Sequence, residues 1–361
     1  MQLINDLKIE DELIFDLSLA RISFLSLEDK RNLKKNLDSA RDLALLSIEE
    51  IETITGNNFK KDIVWNGFEN LRIAKISAYY CRKFDIKVLL YSDEKYPELL
   101  RQINKPPYLL FCRGNIDCLG ERSVSVVGTR KLSPDGKKAA YNFGYDAVLS
   151  GCNIVSGLAN GADEYAHKGA VNALFDAKEK GMSLENLGKT IAVLPGSIDE
   201  VTPYSNKKLA ESILKTGGCI ISEYEPKVPL EKWHFIARNR IIAGLSPATI
   251  VIEAPCGSGA LITADFALDF NRDLMFHEVA FGKLAKQVSI SVEADLDKKF
   301  AGGIISKYKR ENTAEKFLEA GAPIIKNYKD YCVCLAEKPG IRNSVTELYS
   351  EQKELFIQDS N

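Results

Sequence analysis

The segment SVSVVGTR, residues 123–130, decides the fold. A short, apolar run ends abruptly in Gly128, Thr129 and Arg130, and similar runs recur as NIVS at 153–156, TIAVL at 190–194, CIIS at 219–222, TIVIE at 249–253 and DLMFH at 273–277. A strand with one wet face alternates apolar and polar residues. These runs are continuous, so both faces of the sheet must be covered, which requires helices on each side and parallel βα units. The expected fold class is α/β, a doubly wound and mostly parallel sheet.

Outward from this core, KVLLY at 87–91 and the run ending at Gly114 read as two connector strands around a Pro-Pro break, so the sheet domain is expected over 85–334. Before it, residues 1–84 carry apolar residues at helical spacing. Ser26 stands three ahead of Asp29 and Ser47 three ahead of Glu50, the spacing of capped helix starts, so a small all-α domain is expected with Leu43, Leu46, Ile51, Ile54 and Trp65 in its core. Beyond Glu278 the chain reads as charged and irregular to about 312, followed by a helix, a stop at Gly321 and a last short strand. Residues 335–361 read as a tail without a winged helix.

The 361 residues carry 48 Lys and Arg against 50 Asp and Glu, so no global field draws the chain to a polyanion, and any nucleic-acid site must be local. The acidic start MQLINDLKIEDEL is not a secretory signal and no apolar stretch reaches membrane-helix length, which predicts a cytoplasmic protein without a membrane partner. Eight scattered cysteines with no CxxC pair read as small apolar residues rather than metal ligands or disulfides.

In a sheet of this kind the ligand crevice lies beyond the carboxyl ends of the strands. The turns there share one character: Gly128-Thr129-Arg130, then Ser156-Gly157 through Gly161 and Asp163, then Gly196-Ser197, then Gly257-Ser258-Gly259. Glycines admit close backbone approach, and helices starting just afterwards aim unpaired N–H groups at the same place, so the four turns together predict an anion site. Basic residues gather nearby: Arg130 at a strand end, where a guanidinium can grip phosphate at two points, Lys207 and Lys208 after the third strand, and Arg238 and Arg240 flanking Asn239. There is no GxxxxGK[ST] and no GxGxxG at Gly128, so neither a triphosphate cradle nor a dinucleotide site is expected, and no cofactor or metal is implied. Asp163 and His167 stand at helical i, i+4 spacing, which serves packing more often than acid–base chemistry; no triad can be assembled.

With these residues in hand, the chain resembles the DNA-processing protein A group, also called Smf. YPELLRQINKPPYLLFCRGN, VVGTR, SGLANGADEYAHKGA, TIAVLPGSID, ISEY, FIARNRIIAGLS and EAPCGSGALITADFAL occur in order over roughly 88–330. The resemblance implies an extended Rossmann-like domain that acts as a homodimer, binds single-stranded DNA through the turn at Gly128–Arg130 and the segment 238–240, and loads a RecA-type recombinase in natural transformation or recombination. It adds single-strand-binding protein as a further partner and a sterile-alpha-motif-like domain at the front, and it implies no catalysis. Departures from the pattern are Gly161-Ala162-Asp163 in place of Gly-Ile-Asp, Thr202-Pro203 in place of Tyr-Pro, and His277-Glu278-Val279-Ala280 in place of Val-Pro-Gly. The alternative reading is a nucleoside-monophosphate phosphoribohydrolase of the related Rossmann group, whose Pro-Gly-Gly-x-Gly-Thr-x-x-Glu motif is imitated at Pro255–Thr263, but with Thr263 at the position of the catalytic glutamate.

Overall fold

The computed structural model describes residues 2–60 and 62–336. Its centre is a nine-stranded sheet: β1 (Lys87–Leu90), β2 (Leu109–Gly114), β3 (Ser123–Val127), β4 (Asn153–Ser156), β5 (Thr190–Val193), β6 (Cys219–Ser222), β7 (Ala248–Val251), β8 (Asp273–His277) and β9 (Ile324–Ile325). The spatial order is β1-β2-β6-β5-β4-β3-β7-β8-β9, parallel from β6 to β9, with β1 and β2 added antiparallel at one edge. The α/β, extended Rossmann-like architecture is therefore present. The connector strands belong to the same sheet as the six core runs, and two of those runs end slightly earlier than their apolar character does, at Val193 and Val251.

Strands β3 to β7 are buried along their whole length, as continuous apolar runs require. Most of their polar side chains bond to backbone: Ser125 Oγ donates to the Ile242 carbonyl at 2.6 Å, Ser156 Oγ to that of Val126 at 2.6 Å, and Thr190 Oγ1 to that of Ile154 at 3.1 Å, while the Thr249 hydroxyl in β7 is buried with no partner among the described residues. Helices Pro134–Leu149 and Ala162–Glu179 cover one face and cross at glycines: a Cβ on Gly144 would stand 2.3 Å from the Ala166 carbonyl oxygen. Helices His234–Gly244 and Gly259–Asp269 cover much of the other face.

The front of the chain is helical from Gln2 to Lys83, and both expected capping boxes form, at Ser26 with Asp29 and at Ser47 with Glu50. Leu43 and Ile51 are buried, while Leu46, Ile54 and Trp65 pack half-buried beside them. The same buried cluster continues without interruption into the sheet through Leu109, Phe111, Leu194 and Ile220. Polar contacts stitch this junction: Arg21 pairs with Glu225, Ser77 Oγ donates to Glu225 at 2.6 Å, and Tyr108 donates its hydroxyl to Asp16 at 2.9 Å.

The segment expected to be irregular after Glu278 instead forms helix Lys283–Ala301. Its charges pair along the helix surface, as Lys299 does with Asp295, and Leu296 alone is buried, so it lacks the apolar stripe by which a helix is normally read. The expected helix, glycine stop and short strand that follow are at Ala314–Glu319, Gly321 and β9. The reading of 337–361 as tail falls outside the described residues. No disulfide forms among the described residues and seven of the eight cysteines are buried. Among the described residues no helix is long and apolar enough to cross a membrane, and no group of side chains could hold a metal ion.

Candidate nucleic-acid interface

Strand β3 is flanked by β4 on one side and β7 on the other, so successive connections leave it in opposite directions and a crevice opens at the carboxyl edge between them. A pocket of about 390 Å³ lies there. It is lined by Gly128, Thr129 and Arg130 from the turn after β3, by Ala159 and Asp163 from the turn after β4, by Phe235, Arg238 and Asn239 from helix His234–Gly244, and by Ser258, Gly259 and Thr263 at the start of helix Gly259–Asp269.

The turn after β3 is laced to both neighbours. Thr129 N–H donates to the Glu253 carbonyl at 2.6 Å, and the Thr129 carbonyl accepts from Ala162 N–H at 3.2 Å. This closeness explains two glycines. A Cβ at Gly128 would lie 2.6 Å from that of Ala162; one at Gly161, where φ is +85°, would lie 2.3 Å from the Thr129 carbonyl oxygen. The Thr129 amide is thus spent on the fold and is not available to an anion.

Beneath the pocket, Asp163 accepts from the amides of Gly157 at 3.1 Å and Ala159 at 3.3 Å, and faces the guanidinium of Arg238. Arg238 is buried. It donates to the carbonyls of Gly157, at 2.7 Å, and Val193, and its burial, against the attraction of Asp163, pulls its pKa down to about 10. The guanidinium lies so close over Gly157 that a Cβ there would meet it at 2.4 Å. Arg238 therefore clamps the ends of β4 and β5 while lending positive potential to the pocket. Arg130 contrasts with it: exposed, with no ion pair among the described residues, its guanidinium rests 5.2 Å from the centre of the Phe235 ring. His167 is not a partner of Asp163. Its Nδ1 lies 2.6 Å from Thr190 Oγ1, and burial pushes its pKa down to about 3, so it is a neutral packing residue.

Two of the helices that start at this edge, Pro134–Leu149 and Gly259–Asp269, differ. At Pro134 the positive end is already filled: the Glu253 carboxylate accepts from the amide of Ser133 at 2.9 Å and from its hydroxyl, and Gly136 leaves the space that the carboxylate occupies. At Gly259 the cap is the Ser258 hydroxyl, which accepts from Ala260 N–H at 3.2 Å, and a Cβ on Gly259 would project into open space.

Of the residues singled out in the sequence, Gly128, Thr129, Arg130, Arg238, Asn239, Ser258 and Gly259 share the pocket, and Ser156, Gly157 and Gly161 support it from below. The others stand apart. Gly196 and Ser197 are buried, with Leu230 packed over Gly196, because the β5 turn folds back against Tyr224. Gly257 turns away, giving its amide to the Asn312 carbonyl at 2.9 Å. Arg240 lies on the opposite side of its helix and pairs with Glu223. Lys207 and Lys208 are exposed beyond Asn160, whose side chain accepts from Ser205 Oγ at 3.1 Å. Three residues escaped the sequence reading. Tyr204 is 79% exposed with Lys207 5.7 Å from its ring centre, Phe235 carries Arg130, and Glu253 plugs a helix. A signal for Glu253 was an acid closing the apolar run TIVIE opposite the helix start Ser133-Pro134.

Comparison with known proteins adds an independent line. The family model described as DNA recombination-mediator protein A matches residues 87–294. A protein named Smf from Borreliella burgdorferi is 31% identical over 265 residues, which are 73% of this chain and 79% of that one. The crystal structure of DNA processing protein A from Streptococcus pneumoniae superposes with a TM-score of 0.60 at 27% identity, covering 90% of this chain and 97% of that chain. The Helicobacter pylori DNA processing protein A, described for a single-stranded DNA binding mode of its own, shares the fold with a TM-score of 0.50 at 24% identity, over 74% of this chain and 96% of that chain.

Proposed function

The chain belongs to the DNA recombination-mediator protein A family, and on that premise we propose that it binds single-stranded DNA in the crevice between β3 and β7 and delivers it to a RecA-type recombinase. The observation that carries the reading is Arg130, an exposed guanidinium without a carboxylate partner among the described residues, held over Phe235 at the mouth of a pocket. Buried Arg238 and the start of helix Gly259–Asp269 add positive potential at the same place, so the pocket suits a phosphate. Recognition through phosphate predicts little sequence preference and strong salt dependence. A homodimer in the cytoplasm, with single-strand-binding protein as a second protein partner and a sterile-alpha-motif-like front domain, completes the proposal.

The function is binding without turnover. Thr263, at the position where the phosphoribohydrolase motif needs a glutamate, donates its hydroxyl to the Gly259 carbonyl at 3.3 Å. Asp163 is the one carboxylate lining the pocket, and it accepts from two amides and feels the positive charge of Arg238. The test is polarisation binding of single-stranded and duplex oligonucleotides over a salt series, with Arg130→Ala alongside. Preference for the single strand and weaker binding by the variant support the proposal; equal affinity of variant and parent would remove the site.

A further inference from the structure

A second and larger cavity, of about 1010 Å³, lies where the helical front meets the sheet domain. Phe24 and Tyr108 line it, and so do Tyr224 and Trp233. Trp233 is 60% exposed yet fixed in place: its ring stands edge-on to Tyr224, with centroids 6.2 Å apart, and to His234 at 4.2 Å, while Tyr224 and His234 stack at 3.9 Å. The result is a packed, half-open aromatic platform. Four cations, Arg21, Lys30, Lys105 and Arg240, line the cavity against two carboxylates, Glu223 and Glu225. The arginines are paired with the carboxylates, and Lys30 is buried, its ammonium donating to the Ala20 carbonyl at 3.2 Å beside the Tyr108 ring, which leaves Lys105 exposed and with no ion pair among the described residues.

The cavity also adjoins the crevice. Trp233 lines the cavity and Phe235 and Ile236 line the crevice pocket, so the start of one helix, His234–Gly244, forms the ridge between them, and Ile236 on that ridge is 49% exposed. Resting on the reading of the crevice as a single-stranded DNA site, we propose that the strand crosses this ridge and lodges a further nucleotide in the interdomain cavity, its base against Trp233 and its phosphate toward Lys105. An aromatic ring beside an exposed cation without an ion pair is the combination that a nucleotide, carrying a π-face and an anion, satisfies at once. Sequence tolerance follows, because every base presents a stackable face.

The full chain with Trp65→Phe leaves Trp233 as the only tryptophan and permits the test. Oligothymidylates from about 4 to about 16 nucleotides are titrated while polarisation and tryptophan emission are followed together. The expected result is binding at all lengths, with quenching of Trp233 only above a threshold length. Trp233→Ala should weaken the long oligomers about tenfold and spare the short ones, with Trp233→Phe restoring most of the loss. Binding with unchanged emission at every length, and equal losses for short and long oligomers in Trp233→Ala, would overturn the cavity subsite and leave the crevice standing. Absence of binding at every length would overturn both.

Discussion

The helix starts at Pro134 and Gly259 lie on the same edge of the same sheet, behind turns that look alike in sequence, yet only one faces an open pocket. At Pro134 the chain supplies its own anion, Glu253; at Gly259 it supplies a hydroxyl and leaves open space beyond. The two arginines repeat the contrast, Arg238 spent on carbonyl oxygens and Asp163, and Arg130 unspent. A glycine turn and a guanidinium make a binding site only where the fold has not already used them.

The sharpest way to break this contrast is to delete the spent arginine. Arg238→Ala leaves two buried carbonyl groups without their donor and Asp163 without its nearby positive charge, so unfolding in denaturant should show a loss of about 2–5 kcal/mol. A loss within the range of an ordinary surface change would mean that Arg238 is not structural.

Next comes acid. His167 is held neutral, its pKa lowered by burial from 6.5 to about 3, so the unfolded chain takes up a proton that the folded chain refuses. The stability gained this way is complete above pH 6.5 and is lost as the pH falls toward 3, approaching ~1.4 kcal/mol per unit within that window. His277, lowered to about 4 by burial, adds to the same slope, so the difference between parent and His167→Gln isolates the one residue. Parallel curves for the two proteins would exclude His167 as a source of acid lability.

Glu253→Gln should cost about 1–2 kcal/mol by weakening the charged cap of helix Pro134–Leu149, yet leave the salt slope of DNA binding unchanged. If binding tightens instead, that helix start belongs to the site after all. The smallest effect on stability, within about 0.5 kcal/mol, is expected of Arg130→Ala, which should nevertheless lower the salt slope of binding by about 1.

Much of this was legible in sequence because it rests on burial. Apolar runs such as SVSVV and CIIS can only be covered strands, and Ser26 with Asp29 can hardly be anything but a capped helix start. What escaped depends on side-chain direction and on partners far along the chain. Arg238 and Arg240, two positions apart on a helix, necessarily point to different sides, but which of them meets the crevice depends on how the helix lies over β5. Gly196 looks like its counterparts in the other turns until Leu230 is packed over it, 34 residues later in sequence. Helix Lys283–Ala301 gave no signal because its side chains are solvated almost all round.

The unbroken apolar cluster that runs from Leu43 and Ile51 to Phe111 and Ile220 has a practical meaning for anyone cutting the gene into pieces. A fragment starting near residue 85 would keep every group of the crevice but bare a greasy flank of the sheet, and should come out of cells sticky and prone to precipitate. The front helices are best regarded as the lid of a box whose contents spoil when it is removed.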